Sequence, residues 1–170
     1  TTLDLTHFDM SNVTDMSGML SNTDYEDIDY STFDTSSVVN MENLFNGSAI
    51  ETIDVSVFDM SNVVNMSGMF GNIKPQTFVF PNTLDFSNVE DISNLFVNAE
   101  IDTVDLTGVS FPNINNRKMM FYGLKTDLLD ISDWDLGDNV STNLTQNEYE
   151  ALFDGANIHE IRFSNANNFP

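Results

Sequence analysis

The chain contains no cysteine, which excludes disulfide bonds, zinc sites built on thiolates and cysteine nucleophiles. It is also poor in positive charge, with 5 Lys and Arg residues against 27 Asp and Glu and a net charge of −22. This shortage argues against nucleic-acid binding and against electrostatic docking on anionic lipid, because both need Lys and Arg. No apolar run approaches the roughly 18 residues of a membrane span, so direct membrane insertion is not expected.

A 25-residue repeat is the main feature of the sequence. The segment "HFDMSNVTDMSGML" at 7–20 recurs as "VFDMSNVVNMSGMF" at 57–70, with a looser copy, "TFDTSSVVNMENLF", at 32–45. Residues at the same position of successive repeats form a column, and a fixed period of this kind predicts stacked copies of one unit. Two apolar columns run through five copies: Val13, Val38, Val63, Val89 and Ile114, then Leu20, Phe45, Phe70, Phe96 and Phe121.

Each unit combines three local patterns. An alternating triplet such as Ile53-Asp54-Val55 predicts a short strand with one buried face. An Asp-x-Ser-Asn turn follows in most copies, and its Asp is expected to accept backbone N–H bonds. The next apolar residues then fall at spacings that suit one or two turns of α- or 3-10 helix. In the third copy these residues are Val63, Met66, Met69 and Phe70.

The fold class follows from stacking such units. The sequence predicts an α/β solenoid, a leucine-rich-repeat-like right-handed coil with a parallel β-sheet on one face and short α or 3-10 helices on the other. We expect about five tandem repeats over residues 1–125 and degenerate repeats forming a C-terminal cap over 126–170. Within that cap the column step from Phe121 to Phe153 grows to 32 residues, and the segment 145–156 predicts a longer helix.

The repeat motif also carries a resemblance. The segments "FDMSNVTDMSGML" and "FDMSNVVNMSGMF" resemble the BspA-type leucine-rich-repeat surface proteins of bacteria. The similarity covers about residues 3–124 and is loosest in the fifth copy, where Arg117 takes the first Met position. The resemblance implies an extracellular location, at the bacterial cell surface or on the cell wall. It also implies adhesion to a host or matrix protein or to a glycan, and it brings no catalytic residues.

An enzyme is not expected. The only histidines are His7 and His159, and six strand spacings would hold them roughly 29 Å apart along the stack. They cannot share a site at that distance. Neither one lies in a recognisable hydrolase or phosphate-loop motif.

A column of carboxylates on the strands is the candidate binding site. Neighbouring carboxylates about 5 Å apart would repel each other by roughly 1–3 kcal/mol per pair. Bound cations, raised pKa values or hydrogen bonds from nearby hydroxyls would relieve this repulsion. Calcium takes oxygen ligands, which makes it the candidate ion, with Asp29 and Asp54 as ligands and no other cofactor expected. A solvated acidic face without an ion is the alternative interpretation.

The sequence therefore predicts a non-enzymatic binding or adhesion module that uses the exposed strand face. A structural spacer or stalk repeat of a larger cell-surface protein is the second hypothesis, and it expects no ligand. The sequence leaves the ligand and the oligomeric state open. The predicted ligand-binding residues are Asp29, Asp54, Asp105, Asp130, Thr52 and Thr103.

Overall fold

The computed structural model describes residues 2–134 and 151–164. Each repeat contributes one short strand, and all paired strands are parallel. Every strand overlaps a predicted triplet, so the predicted strand positions are confirmed. The strands are β1 (Thr2–Asp4), β2 (Asp27–Asp29), β3 (Thr52–Asp54), β4 (Thr77–Val79), β5 (Thr103–Asp105), β6 (Lys125–Asp130) and β7 (Asn157–Arg162).

The strands form three separate sheets rather than one: β1 with β2, β3 with β4, and β5 with β6 and β7. Within a sheet each residue pairs with its equivalent in the next repeat, as Asp4 does with Asp29. A second ladder of isolated parallel bridges joins the turn segments of successive repeats. It joins Asp15, Asn40, Asn65, Asp91 and Asn116 in succession.

The predicted leucine-rich-repeat-like right-handed solenoid, with its single sheet and short helices, is wrong. Residues 67–72, expected at the end of a helix, form turns. Alternate backbone N–H groups there bond to the next repeat, as Gly68 N–H does to the Ser93 carbonyl at 2.8 Å, whereas Met69 N–H bonds the Met66 carbonyl only three residues back, at 3.2 Å. Among the described residues only the 3-10 helix Val55–Val57, which follows β3 directly, and residues 151–152 are helical.

Left-handed backbone conformations explain why no helix forms in the turn segments. Each repeat has two residues with positive φ, four positions apart, as Gly18 (62°) and Asn22 (51°) are in the first. One such residue ends an α-helix, and Gly and Asn adopt this conformation most readily. The two columns are Gly18, Asn43, Gly68, Asn94 and Met119, then Asn22, Gly47, Asn72, Asn98 and Gly123.

The core lies between the strands and the turns and runs the length of the described repeats. A row of stacked phenylalanines forms its centre, with ring centroids 6.0 Å apart between Phe45 and Phe70 and 5.5 Å between Phe70 and Phe96. Phe121 continues the row at 5.9 Å from Phe96. The predicted Phe column is therefore confirmed as core. Such ring pairs contribute about 0.5–1.5 kcal/mol each beyond the apolar area that they bury.

The predicted division into repeats over 1–125 and a cap over 126–170 stays a prediction, and β6 spans that boundary. Of the longer helix predicted over 145–156, residues 145–150 lie outside the described residues. In the described part of the chain, no helix has the length and apolar character that crossing a membrane requires.

Candidate functional site

The structure brings together some of the predicted site carboxylates and separates others. Asp105 and Asp130 are direct partners across β5 and β6. Asp29 instead pairs with Asp4, and Asp54 pairs with Val79. Asp29 and Asp54, the predicted calcium ligands, therefore lie on strands of different sheets.

Each of these carboxylates first shapes the turn after its strand. One carboxylate oxygen accepts a hydrogen bond from the backbone N–H two residues later, which is the geometry of an Asx turn. A carboxylate held in this way is fixed in direction by the turn. The bonds run from Ser31 to Asp29 (3.1 Å), Ser56 to Asp54 (2.9 Å), Thr107 to Asp105 (2.9 Å) and Ser132 to Asp130 (3.0 Å).

Asp130 lies in a partly buried environment with hydrogen-bond donors and a cation nearby. Burial raises its pKa, but hydrogen bonds from the side chain and backbone of Ser132 and the charge of Arg162 outweigh burial, so its pKa is lowered overall. Arg162 pairs with Asp130 across β6 and β7 and also bonds Glu160 at 2.6 Å. The carboxylate column thus ends on a cation.

Thr52 and Thr103 lie at the starts of β3 and β5, two residues before Asp54 and Asp105. Side chains two apart in a strand point to the same face, so each Thr and its Asp share the exposed face. Both threonines are exposed. The structure therefore places all six predicted residues on the strand face.

Within the described ranges, no group of three or more His, Asp or Glu side chains is arranged to hold a metal ion. Calcium binding at Asp29 and Asp54 stays a prediction.

An open depression just before the strands was missed by sequence reasoning. Glu100 lines it, and its two carboxylate oxygens accept hydrogen bonds from Lys74 Nζ at 2.8 Å and Lys125 Nζ at 2.7 Å. These hydrogen bonds, the one from Lys125 first, lower the pKa of Glu100 to about 2. The lining residues are Lys74, Pro75, Gln76, Glu100, Ile101, Asp102, Lys125, Thr126, Asp127, Asn157 and His159.

The depression presents charges of both signs in a chain that is otherwise strongly acidic. Both of its lysines bond Glu100, and Asp102 and Asp127 also line it. The depression therefore offers N–H donors and carboxylate acceptors side by side. Positions 74, 100 and 125 belong to one column of the repeat, and tracing the basic residues along the period would have found this cluster.

Comparison of the sequence with known protein families agrees with a repeat architecture. The family model described as "Mycoplasma protein of unknown function, DUF285" matches residues 1–107 and again residues 76–157. No curated protein and no solved structure matches the chain. The two overlapping matches cover most of the sequence, and they agree with the chain being a repeat protein.

Proposed function

The chain belongs to the DUF285 family, and on that premise we propose that it is a non-enzymatic binding module of a bacterial cell surface. In this proposal the exposed strand face and the depression beside it recognise a host or matrix protein or a glycan. The main observation in its support is the cluster of Lys74, Glu100 and Lys125, where hydrogen-bond donors and acceptors lie side by side on a strongly acidic chain.

The chemistry of the depression suits a polar, uncharged or mixed-charge ligand. Lys74, Lys125 and the Asn157 amide donate hydrogen bonds, while Asp102 and Asp127 accept them. Sugar hydroxyls and the polar loops of a protein both need donors and acceptors in close alternation. Nucleic acid is a poor fit, because it would need an excess of positive charge.

A non-enzymatic role agrees with the surroundings of His7. Its Nδ1 lies 3.1 Å from Thr6 Oγ1, and that hydroxyl donates to Asp4 Oδ1 at 2.6 Å. In a nucleophilic triad the imidazole lies between the hydroxyl and the carboxylate and removes the hydroxyl proton. Here the hydroxyl lies in the middle and donates its hydrogen bond to Asp4, so its proton is not directed at His7.

A structural spacer is the second candidate, and side-chain bonds between repeats favour it. Asn72 Nδ2 donates to Asn46 Oδ1 at 3.1 Å, and Asn46 Nδ2 donates to the Gly68 carbonyl at 3.2 Å. Bonds of this kind tie each repeat to the next and would resist bending. A spacer would tolerate changes in the depression without loss of any interaction.

Charge-neutralising variants separate the two functions. Binding to arrayed glycans and matrix proteins would be measured for the wild type and for the double variant Lys74→Gln/Lys125→Gln. Lys118→Gln, which removes one positive charge outside the depression, is the control, and the single variants Lys74→Gln and Lys125→Gln are compared with it at equal charge. We expect the double variant to lose at least about tenfold in affinity, a loss that corresponds to roughly 1.4 kcal/mol, and the control to bind as the wild type does. Equal binding by all of these proteins would show that the depression is not the binding site.

A further inference from the structure

Successive repeats are joined on two sides of the core, and the two sides differ at the step from β4 to β5. On the turn side the ladder of backbone bonds continues across this step, as Asn94 N–H bonds the Lys118 carbonyl at 2.9 Å. The two repeats stay bonded up to Glu100, whose N–H bonds the Ile73 carbonyl at 2.9 Å just before the strands. In the described part of the chain, however, β4 pairs with β3 alone and β5 with β6 alone. Strand pairing is therefore missing at this step.

The sequence after β4 accounts for the missing pairing. At a paired step the residue after the strand donates to the next strand, as Leu106 N–H does to the Asp130 carbonyl at 2.7 Å. The equivalent residue after β4 is Phe80, and Pro81 follows it without a backbone N–H to donate. Val79 also replaces the Asp that closes an Asx turn after β3 and β5. The repeat that begins with β4 is 26 residues long instead of 25, since β4 begins at 77 and β5 at 103.

The other unpaired step within the described ranges, from β2 to β3, is held by buried hydroxyl groups. Tyr30 accepts a hydrogen bond from the Asp54 N–H at 3.1 Å. Thr35 Oγ1 accepts one from the Asp59 N–H at 2.7 Å and donates one to the Asp59 carbonyl at 3.1 Å. Both hydroxyl-bearing residues are buried, and hydrogen bonds are stronger there than in water. This step is therefore fixed without strand pairing.

Exposed side chains make the corresponding bonds at the step from β4 to β5. Lys74 Nζ bonds Glu100 at 2.8 Å, and 77% of the Lys74 side chain is exposed. Asn82, also exposed, donates from Nδ2 to the Thr107 carbonyl at 2.9 Å. An exposed ion pair contributes little stability, because water screens it and its long side chains lose conformational freedom. The strand side is therefore held less firmly here than at the step from β2 to β3.

We propose that the step from β4 to β5 is a hinge, with the turn ladder as its pivot and the Lys74–Glu100 ion pair as its latch. When the latch opens, the strand sides of the two repeats separate while the backbone bonds on the turn side hold. The depression extends across this step, since Lys74 lines it from the β4 side and Glu100 from the β5 side. Opening the hinge widens the depression. Control of ligand binding by this motion rests on the proposed function, whereas the hinge itself does not.

Spin-label distances test the hinge, because a chain without cysteine is labelled only at the cysteines introduced. Thr52→Cys/Thr103→Cys places labels across one paired step and the hinge. Thr103→Cys/Glu160→Cys places labels in the same column across two paired steps. Each pair spans two strand spacings, about 10 Å, a range that dipolar broadening of EPR spectra measures. The first pair is expected to show a second, longer distance, and the second pair a single distance.

Two lysine variants that differ only in the step they span test the latch. Lys74→Gln and Lys125→Gln each remove one ion pair with Glu100, but Lys125 pairs across the step where β5 and β6 are bonded. In the chain labelled across the hinge, Lys74→Gln is expected to raise the ratio of longer to shorter distances by about twofold to fivefold. Lys125→Gln is expected not to raise it.

The same distance distribution for both label pairs, or equal increases in the two lysine variants, would overturn the proposal. Thermal melts of each labelled variant verify that it is folded. The distances are measured without ligand, so a failure of the proposed binding function would leave this result unchanged.

Discussion

The phenolic oxygen of Tyr30 accepts a hydrogen bond from the backbone N–H of Asp54, at 3.1 Å. This bond lies between β2 and β3, where the backbone ladder is interrupted and one sheet gives way to another. The Tyr30 ring is buried and packs 5.4 Å from the ring of Phe58. The Tyr30 hydroxyl therefore accepts the hydrogen bond from the Asp54 N–H that a backbone carbonyl of a paired strand would otherwise accept.

Tyr30→Phe is expected to destabilise the fold by about 1–2 kcal/mol, because the Asp54 N–H would lose its acceptor while the ring packing is kept. Urea denaturation of the two proteins measures the difference. Tyr25→Phe removes a hydroxyl from an exposed ring and is the control, expected to change stability by less than about 0.5 kcal/mol. Equal effects at the two positions would show that the Tyr30–Asp54 bond adds nothing.

The glycines with positive φ differ in what surrounds them. A Cβ at Gly68 would collide with the Asn43 side chain, whereas a Cβ at Gly18 meets only Ser21 Oγ, at 3.4 Å. Both substitutions force Ala into a left-handed conformation, at a cost of roughly 1 kcal/mol. Gly68→Ala is therefore expected to destabilise by at least about 1 kcal/mol more than Gly18→Ala, because it also displaces Asn43. Denaturation midpoints that fall together for the two variants would contradict the stacking of Asn43 on Gly68.

Met119 occupies a left-handed position, with φ of 56°, in a column otherwise filled by Gly and Asn. We expect Met119→Gly to stabilise the fold by about 0.5–1 kcal/mol, because it relieves this backbone strain. The measurement is the free energy of unfolding in denaturant. The neighbouring Met120 is fully buried and lacks positive φ, so Met120→Gly should destabilise strongly and serves as the contrast. A loss of stability in Met119→Gly would mean that side-chain packing outweighs the strain.

Acid should destabilise the protein through its turn carboxylates. Hydrogen bonds from the side chain and backbone of the following Ser lower the pKa values of Asp9, Asp34 and Asp85 below the ordinary 3.8. A lowered folded-state pKa gives stability that is complete above the ordinary value and is lost as the pH falls through the folded value. Since the net charge is −22 at pH 7, lowering the pH also relieves repulsion. The melting temperature should therefore rise toward about pH 5 and fall below about pH 3.5.

The triple variant Asp9→Asn/Asp34→Asn/Asp85→Asn isolates the turn contribution. Asn keeps the side-chain oxygen that closes the turn, as Asn65 does for Ser67 at 2.9 Å, but it does not titrate. The melting temperature of the triple variant should fall less between pH 4 and pH 2 than that of the wild type. An identical fall in both proteins would assign acid sensitivity to other groups.

The strands, the turns and the core were predictable from the sequence because each depends on a local pattern repeated in register. The alternation around Ile53 indicated a strand, and the Asp59-x-Ser61 spacing indicated an Asx turn, which the bond from Ser61 N–H to Asp59 at 2.9 Å confirms. The Phe column through Phe70 indicated core.

The prediction of helices was wrong because the spacing of apolar residues does not by itself determine the backbone conformation. Val63, Met66 and Met69 are all buried, as an amphipathic helix would require. Gly68 and Asn72, however, take positive φ and turn the chain, and the alternation of Gly and Asn down each column was the overlooked signal. The cluster around Glu100 was missed for a different reason, since the apolar and acidic columns indicated core and strand face, while the few basic residues were not followed through the repeat.

In the proposed function, the exposed strand face binds a ligand. The most direct measurement is binding of the 170-residue chain to an array of host glycans and matrix proteins, in calcium and again in chelator. It would be repeated with Asp54→Asn/Asp105→Asn, which removes two charges of the face but keeps their turns. We expect at least one ligand whose binding weakens in the double variant, and loss of that binding in chelator would assign calcium to the face. A blank array in both buffers, or a ligand that binds the double variant unchanged, would contradict it.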